Sequence, residues 1–273
     1  MKYPEFSVLM SLYIKEKEEY FDECMQSINR QTVLPNEIVI VLDGPISKEL
    51  LGALNRYKRK KPDWIKTVEN KKNKGLGLAL ADGIPACTYN LIARMDTDDI
   101  AREDRFEKQL KMFMEDPDLD ICGSHIIEFE NNTDNVLSKR NVPLTHREIA
   151  KYQKQRSAFN HMTVMYKKNT VLRAGNYEHC PLMEDDMMWV RMLMTGAKCA
   201  NVDDYLVYAR TGYSMIKRRG GWEYFKKYKQ GRKMILDTGY INKWDYYKTI
   251  GVQFVVALVP KEMRLFIFTK LLR

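Results

Sequence analysis

Asp96, Asp98 and Asp99 stand in "LIARMDTDDIAREDRF" (91–106), directly after an apolar run of strand length. Three carboxylates at a strand end repel one another, and the adjoining backbone gives them little relief. A divalent cation would offset that charge. Mg²⁺ and Mn²⁺ are hard ions that take oxygen ligands and commonly bridge to substrate phosphates. A structural reading weighs equally on this stretch alone: Asp98 or Asp99 could cap the helix that follows. Asp43 closes another apolar run, "NEIVIVLDGP", in the same way. A third acidic group, Glu184-Asp185-Asp186, opens "EDDMMWVRMLMTGA", where an acidic first turn would complement the helix dipole by under ~1 kcal/mol.

The elements that must position these groups follow from periodicity. "FSVLMSLY" (6–13), the β-branched run before Asp43 and "YNLIARMD" read as buried strands. Between them, "KEKEEYFDECMQSINRQT", "KELLGALNRYKRKKP" (stopped by Pro62) and "LALADGIPACT" read as helices, with a short strand in "IKTVENKKNKGLG". This rhythm predicts an α/β fold with a Rossmann-like, doubly wound, mainly parallel sheet through about residue 100. Ligands of such sheets sit beyond the carboxyl ends of the strands, so Asp43 and Asp96 should face one crevice. Further on, "REDRFEKQLKMFMED" reads as an amphipathic helix, "DICGSHIIEFE" as a strand, "NNTDNVLSKRNVP" as a hairpin or loop and "HMTVMYKK" as a strand. After residue 212 the pattern turns basic and aromatic. Two parts are therefore expected: a domain over 1–212 and a helical C-terminal extension over 213–273.

The 273 residues carry a net charge of +9, which admits nucleic acid, an anionic membrane or phosphate-bearing substrates as partners. The five cysteines are scattered without short spacing, which points to a reducing, cytoplasmic setting and away from zinc or redox motifs. No signal peptide is evident, and no window holds about 18 uncharged apolar residues to span a bilayer. Lys and Arg cluster at 56–66, at 217–233 and in the last dozen residues. The apolar "TIGVQFVVALVP", flanked by cations, suits an interfacial helix on the cytoplasmic face of the membrane. Its alternative is packing against the domain or a second protomer, giving a homodimer.

The order "SVLMSLYIKE", "QTVLPNEIVIVLDGP", "NKGLGLALADGI", "LIARMDTDDIAREDRFEKQ", continued by "FNHMTVMYKKNTVLRAGNY" and "MEDDMMWVRMLMTGAKCANVDDYLVYAR", resembles family 2 glycosyltransferases of the GT-A fold over residues 6 to 210. Within that family it is similar to bacterial enzymes that add one sugar during capsule or exopolysaccharide assembly. The resemblance implies a UDP-sugar donor, with Ser11, Leu12, Tyr13 and Asp43 at the base and ribose; Tyr13 can offer a ring face to uracil and Asp43 can accept its ring N–H. It also implies a donor-pocket loop and helix bearing Asn73, Gly75 and Asp82. Leu-Ala-Asp stands there in place of the family's Ala-Arg-Asn, and Arg94 could supply the missing cation, or form a salt bridge with a neighbouring carboxylate. Asp98 is implied as the direct ligand of Mn²⁺ or Mg²⁺ on the donor diphosphate, with Asp96 reaching the ribose or the metal and Asp99 capping the next helix.

By the same resemblance Asp185, beside Glu184 and with Asp186 as its rival, is the general base that deprotonates an acceptor hydroxyl for a single, inverting displacement. His161 would lie on the acceptor side, Trp189 in the core, and Arg191 beside the acidic pair. The Gln-x-x-Arg-Trp signature of processive synthases is absent, which implies transfer of one sugar. A lipid-linked saccharide or other glycan is the acceptor so implied. The segment "GYSMIKRRGGWEYF" reads equally as a surface loop or as a lid whose Lys217, Arg218 or Arg219 could meet the diphosphate. Two other classes compete. A nucleotidyltransferase making nucleotide sugars lacks its N-terminal glycine-rich, cationic loop here. A non-enzymatic nucleic-acid-binding protein leaves the acids at strand ends unexplained.

Overall fold

The computed structural model describes residues 2–211 and 220–259. Its sheet is built on β1 (Phe6–Leu12), β2 (Glu37–Leu42), β3 (Ile65–Glu69) and β4 (Leu91–Arg94), parallel to one another in the order β3-β2-β1-β4. β2 and β4 are buried throughout, and β1 is buried except at Ser11. That is why they read as continuous apolar runs, with helices covering both faces. Three helices connect them: α1 (Glu18–Asn29), α2 (Lys48–Lys60) and α3 (Leu76–Ala86). The Ser47 hydroxyl caps α2 by accepting the Leu50 N–H at 3.2 Å, and the helix ends before Pro62. Gly75 precedes α3 at φ 89°, a left-handed backbone that glycine adopts without a Cβ penalty.

Register fixes what meets at the top of the sheet. Leu12 pairs with Leu42 and Leu9 with Arg94, so β1, β2 and β4 end side by side. The chain reverses its order of strand addition between β1 and β4, the place where open α/β sheets leave a crevice. Arg105, fully buried, donates to the Arg94 carbonyl at 2.6 Å and locks the exit of β4.

Beyond residue 100 the sheet becomes mixed. β5 (Ile100–Ala101) pairs antiparallel with β9 (Lys198–Arg210), and β6 (Leu119–Glu130) runs parallel to β9. β6 forms a hairpin with β7 (Asn132–Arg140), while β8 (Met165–Lys167) lies antiparallel between β4 and β6. Helices α4 (Arg105–Glu115), α5 (His146–Tyr152), α6 (Lys168–Arg173) and α7 (Glu184–Met194) pack around them. The strand expected over "HMTVMYKK" is confined to Met165–Lys167, because His161–Thr163 form a 3-10 turn. The expected cap on the helix after the aspartates is also corrected. α4 starts at Arg105 with Asp104 at its N-cap position, so neither Asp98 nor Asp99 caps it.

The C-terminal helices α8 (Trp222–Asp237) and α9 (Lys243–Leu258) lie over α7. They share with it a core of Met183, Met187, Val190, Ile235, Ile241 and Tyr246. α9 opens with a capping box of Asn242 and Asp245. Its outward side presents Trp244, Tyr247, Phe254, Val255 and Leu258 at helical spacing, all exposed. No helix among the described residues is long and apolar enough to cross a membrane. The segment containing Lys217, Arg218 and Arg219, and the last fourteen residues of the sequence, lie outside the described residues.

Candidate active site

A cavity of about 760 Å³ opens over the carboxyl ends of β1, β2 and β4. Ser11, Tyr13, Asp43, Asn73, Gly75, Asp96 and Asp98 all line it. Leu12 contributes from beneath: it is buried, and its carbonyl accepts the Asp43 N–H at 2.8 Å. The buried Asp43 carboxylate accepts the backbone N–H groups of Lys74 at 2.8 Å and Gly75 at 3.0 Å, tying the glycine loop to the end of β2. Asp82 is not brought to this cavity. It pairs with Lys74 Nζ at 2.7 Å on the outer side of α3.

Oxygens of Asp96, Asp98 and Asp99 lie within 4.8 Å of one another, an all-oxygen set suited to a hard divalent cation. One oxygen of the buried Asp99 accepts the Arg210 N–H at 2.7 Å, and the other has no partner among the described residues. Such an orphaned carboxylate oxygen is what a missing cation would leave. Burial, Asp96 and Glu16 push the Asp98 carboxyl up to about 7, and burial with Asp98 and Asp96 raises that of Asp99.

Two further residues belong to this site. Glu16 accepts the Thr97 hydroxyl at 2.8 Å and lines the cavity. Its position, four residues past the end of β1, was the available signal. Arg210 ends β9 and stacks on the Tyr20 ring at 4.0 Å while its Nε holds the Asp98 carbonyl at 2.9 Å. Strand pairing, which sequence does not reveal, puts it there.

Asp185 and Asp186 line a second cavity of about 1110 Å³ between α5, α7, α8 and α9. Gln153 Nε2 donates to Asp186 Oδ1 at 2.7 Å, whereas no side-chain hydrogen bond to Asp185 occurs among the described residues. Desolvation and its acidic neighbours push the Asp185 carboxyl up to about 7. Glu184 lines neither cavity and packs against Gly77 of α3, where a Cβ would stand 2.8 Å from its Cβ and Cγ.

The two acid groups thus face two cavities with no common lining residue among the described residues, where the single displacement implied by the resemblance calls for one cleft. Two features join them. Gly75 and Leu76, at the start of α3, line the first cavity, and Gly77 touches the helix that carries Asp185. Arg94, buried in the sheet, pairs with Asp96, and its charge favours the ionised forms of both Asp98 and Asp185. Its Nε and Nη1 have no partner among the described residues. Arg94 therefore acts as the salt bridge weighed in its sequence reading, with no side chain in either cavity.

Other expectations change. His161 lines neither cavity; its Nε2 pairs with the Tyr177 hydroxyl at 2.8 Å and its ring meets the edge of Trp189. Loss of water and the Arg94 charge hold that imidazole well below its usual range, so it stays neutral. Trp189 is core, as expected. Arg191 braces Glu178 at 2.8 Å and the Asn176 carbonyl rather than the acidic pair.

The sequence model of Glycosyl transferase family 2 matches residues 7–180. The Amylovoran biosynthesis glycosyltransferase AmsE of Erwinia amylovora is 37% identical over 97% of this chain and 98% of its own. The UDP-Gal:alpha-D-GlcNAc-diphosphoundecaprenol beta-1,3-galactosyltransferase of Escherichia coli is 36% identical over 99% of this chain and 97% of its own. Among solved structures, the Pyrobaculum calidifontis mannosyltransferase PcManGT, in complex with GDP-Man and Mn²⁺, aligns with a TM-score of 0.64 at 15% identity, over 97% of this chain and 72% of that one. S. aureus TarS aligns with a TM-score of 0.59 at 17% identity, over 84% of this chain, which spans 42% of the TarS chain. These structural likenesses establish the shared fold.

Proposed function

This chain belongs to glycosyl transferase family 2 and is a glycosyltransferase, and from that premise we propose that it moves one sugar from a UDP-sugar to a hydroxyl of a lipid-linked saccharide, with inversion, in exopolysaccharide or related surface-glycan assembly. The observation that carries the site assignment is the pairing of a carboxylate-rich cavity at the strand ends with a separate carboxylate, Asp185, that no side chain engages among the described residues. In the first cavity Tyr13 offers a ring to the base, and Ser11 with the Asp43-anchored loop flanks the ribose. Asp98 and Asp96 are the residues that would hold Mn²⁺ or Mg²⁺, with Asp99 behind them. When bound, the cation supplies charge neutralisation for the departing diphosphate. Asp185 takes the proton from the acceptor hydroxyl, which attacks the anomeric carbon as the sugar–phosphate bond breaks on the opposite side, a step for which the donor sugar must reach past the first turn of α3 between the two cavities. Gln153 holds one carboxylate oxygen of Asp186, which favours Asp185 for that role.

The exposed apolar side of α9, with exposed Lys226, Lys227, Lys229 and Lys233 on the neighbouring α8, suits docking on an anionic membrane. The flanking cations favour a lipid surface over a second copy of the chain, whose own lysines would repel them.

The test is donor turnover. Purified protein with Mn²⁺ and a panel of nucleotide sugars should release UDP in preference to other nucleotides, and Asp98→Ala should abolish release. Turnover that survives Asp98→Ala, or persists undiminished in excess chelator, would remove the cation from this reading.

A further inference from the structure

The second cavity holds more charge than a general base requires. Among the described residues, its wall sets Arg140, Lys151, Arg156, Arg232 and Lys248 against Glu148, Asp185 and Asp186. Two of those acids are engaged, Glu148 in a capping box with Thr145 and Asp186 with Gln153. Among the described residues, the first cavity has the opposite balance, with Lys15, Lys17 and Arg210 against Glu16, Asp43, Asp96, Asp98 and Glu130. An anion entering the first cavity needs a cation beside it, whereas one entering the second meets a positive field directly.

That positive wall is held in place. Arg232, 3% exposed, donates to the Lys154 carbonyl at 2.7 Å and to Thr249 Oγ1 at 3.1 Å. Lys248 Nζ is set by Gln155 Oε1 at 2.8 Å, and Arg140 Nη2 by the Ser157 carbonyl at 3.0 Å. Lys151 and Arg156, exposed at the end of α5 and just beyond it, reach the same space. The remaining wall includes Leu182, Val252 and Val256, and Val252 leads along α9 to the exposed Val255 and Leu258.

We infer that this wall, Lys151 and Arg156 foremost, binds the phosphate groups of the acceptor, so that a phosphate-linked lipid lies with its sugar hydroxyl at Asp185 and its chain along α9. This rests on the sugar-transfer reading above for the role of Asp185. Cations at a phosphate make charge-assisted hydrogen bonds, and arginine can make two at once. The phosphates are held and undergo no bond change.

Binding of hexyl diphosphate to the full chain in excess chelator, which keeps a metal-bridged diphosphate out of the first cavity, tests the inference. The wild type should bind hexyl diphosphate well above hexyl glucoside, and Lys151→Ala with Arg156→Ala, both at exposed positions, should weaken binding by about tenfold or more. In transfer assays, the preference of that double variant for diphosphate-linked over phosphate-free acceptor should fall by a similar factor, a ratio that a general loss of activity would leave alone. Equal binding of the two hexyl probes, or an unchanged double variant, would overturn the inference. So would a variant that loses only its affinity for phosphatidylglycerol vesicles, since its cations would then serve the bilayer surface. If hexyl diphosphate binds as expected but no nucleotide sugar is turned over, the phosphate site stands and the sugar-transfer reading fails.

Discussion

Asp185 and Asp186 are neighbours in sequence with different surroundings, and that difference divides their roles. Asp185→Asn should lower kcat by roughly 10²–10⁴-fold with donor affinity retained, because a positioned general base contributes about that much. Asp186→Asn keeps an acceptor for Gln153 and should cost far less. Single-turnover kinetics on both variants would check the order, and equal losses would contradict it. Since the Asp185 carboxyl sits up near 7, the base is ionised only above that value, and kcat/KM for acceptor should climb as pH rises through about 7 before levelling. A profile flat from pH 5.5 to 8.5 would contradict that role. Asp98 gives a stability counterpart. Its folded-state carboxyl is raised to about 7, so the stability it contributes is full below its unfolded value of about 3.9 and is lost as pH rises through about 7. Asp98→Asn removes that loss. In chelator its melting temperature should exceed the wild type's at pH 8, by about 2 °C for each kcal/mol relieved, and the gap should shrink as pH falls below about 7 and close below about pH 4. A lower melting temperature at pH 8 would argue against repulsion in the cluster. At this scale the sequence disclosed the aspartates because carboxylates after apolar runs are conspicuous. Gln153, which holds Asp186, and Glu16, which accepts the Thr97 hydroxyl, were not legible as neighbours of these acids, since each contact forms across a long chain separation.

Among elements, β1, β2 and β4 declared themselves through unbroken apolar runs, and α2 through the proline beyond its end. The strand expected over "HMTVMYKK" survives only as β8, because the 3-10 turn before it has too little pattern to tell from a strand. α3 matters most for the site, since its first turn stands between the two acid groups. Its interior packs at contact distance: a Cβ at Gly83 would come within 2.5 Å of Leu9 Cδ1 and 2.7 Å of Val41 Cγ2. Gly83→Ala should therefore destabilise the fold by about 1–3 kcal/mol, read as a lower midpoint in urea with an unchanged slope. An unaffected midpoint would show that β1 and β2 yield at no cost. The helix that bears the base is fixed on its other side by α8 and α9, which the sequence marked as a basic, aromatic, helical extension without showing where it packs.

For the whole molecule, the net positive charge was visible from composition, but the opposition between an acidic and a basic cavity was not. The apolar side of α9 adds a direction to that asymmetry. Trp244→Glu with Tyr247→Glu should abolish co-sedimentation with phosphatidylglycerol vesicles while a soluble acceptor is still used, and vesicle binding that survives would move the contact elsewhere. If instead the substitutions dissociate a dimer seen by ultracentrifugation, α9 is a protomer interface. By itself the sequence determined the parallel half of the sheet, the strand ends carrying Asp43 and Asp96, and the acidic start of α7. Those features rest on local hydrophobic periodicity and on breakers a few residues apart. Only the tertiary structure decided that Asp99 faces its neighbours instead of capping a helix, that Arg94 is buried between two acid groups, and that cations from α5, β7, α8 and α9 line the cavity that Asp185 faces. Each of these depends on strand register and on helices packing from distant parts of the chain, and a field summed over such groups has no local signature.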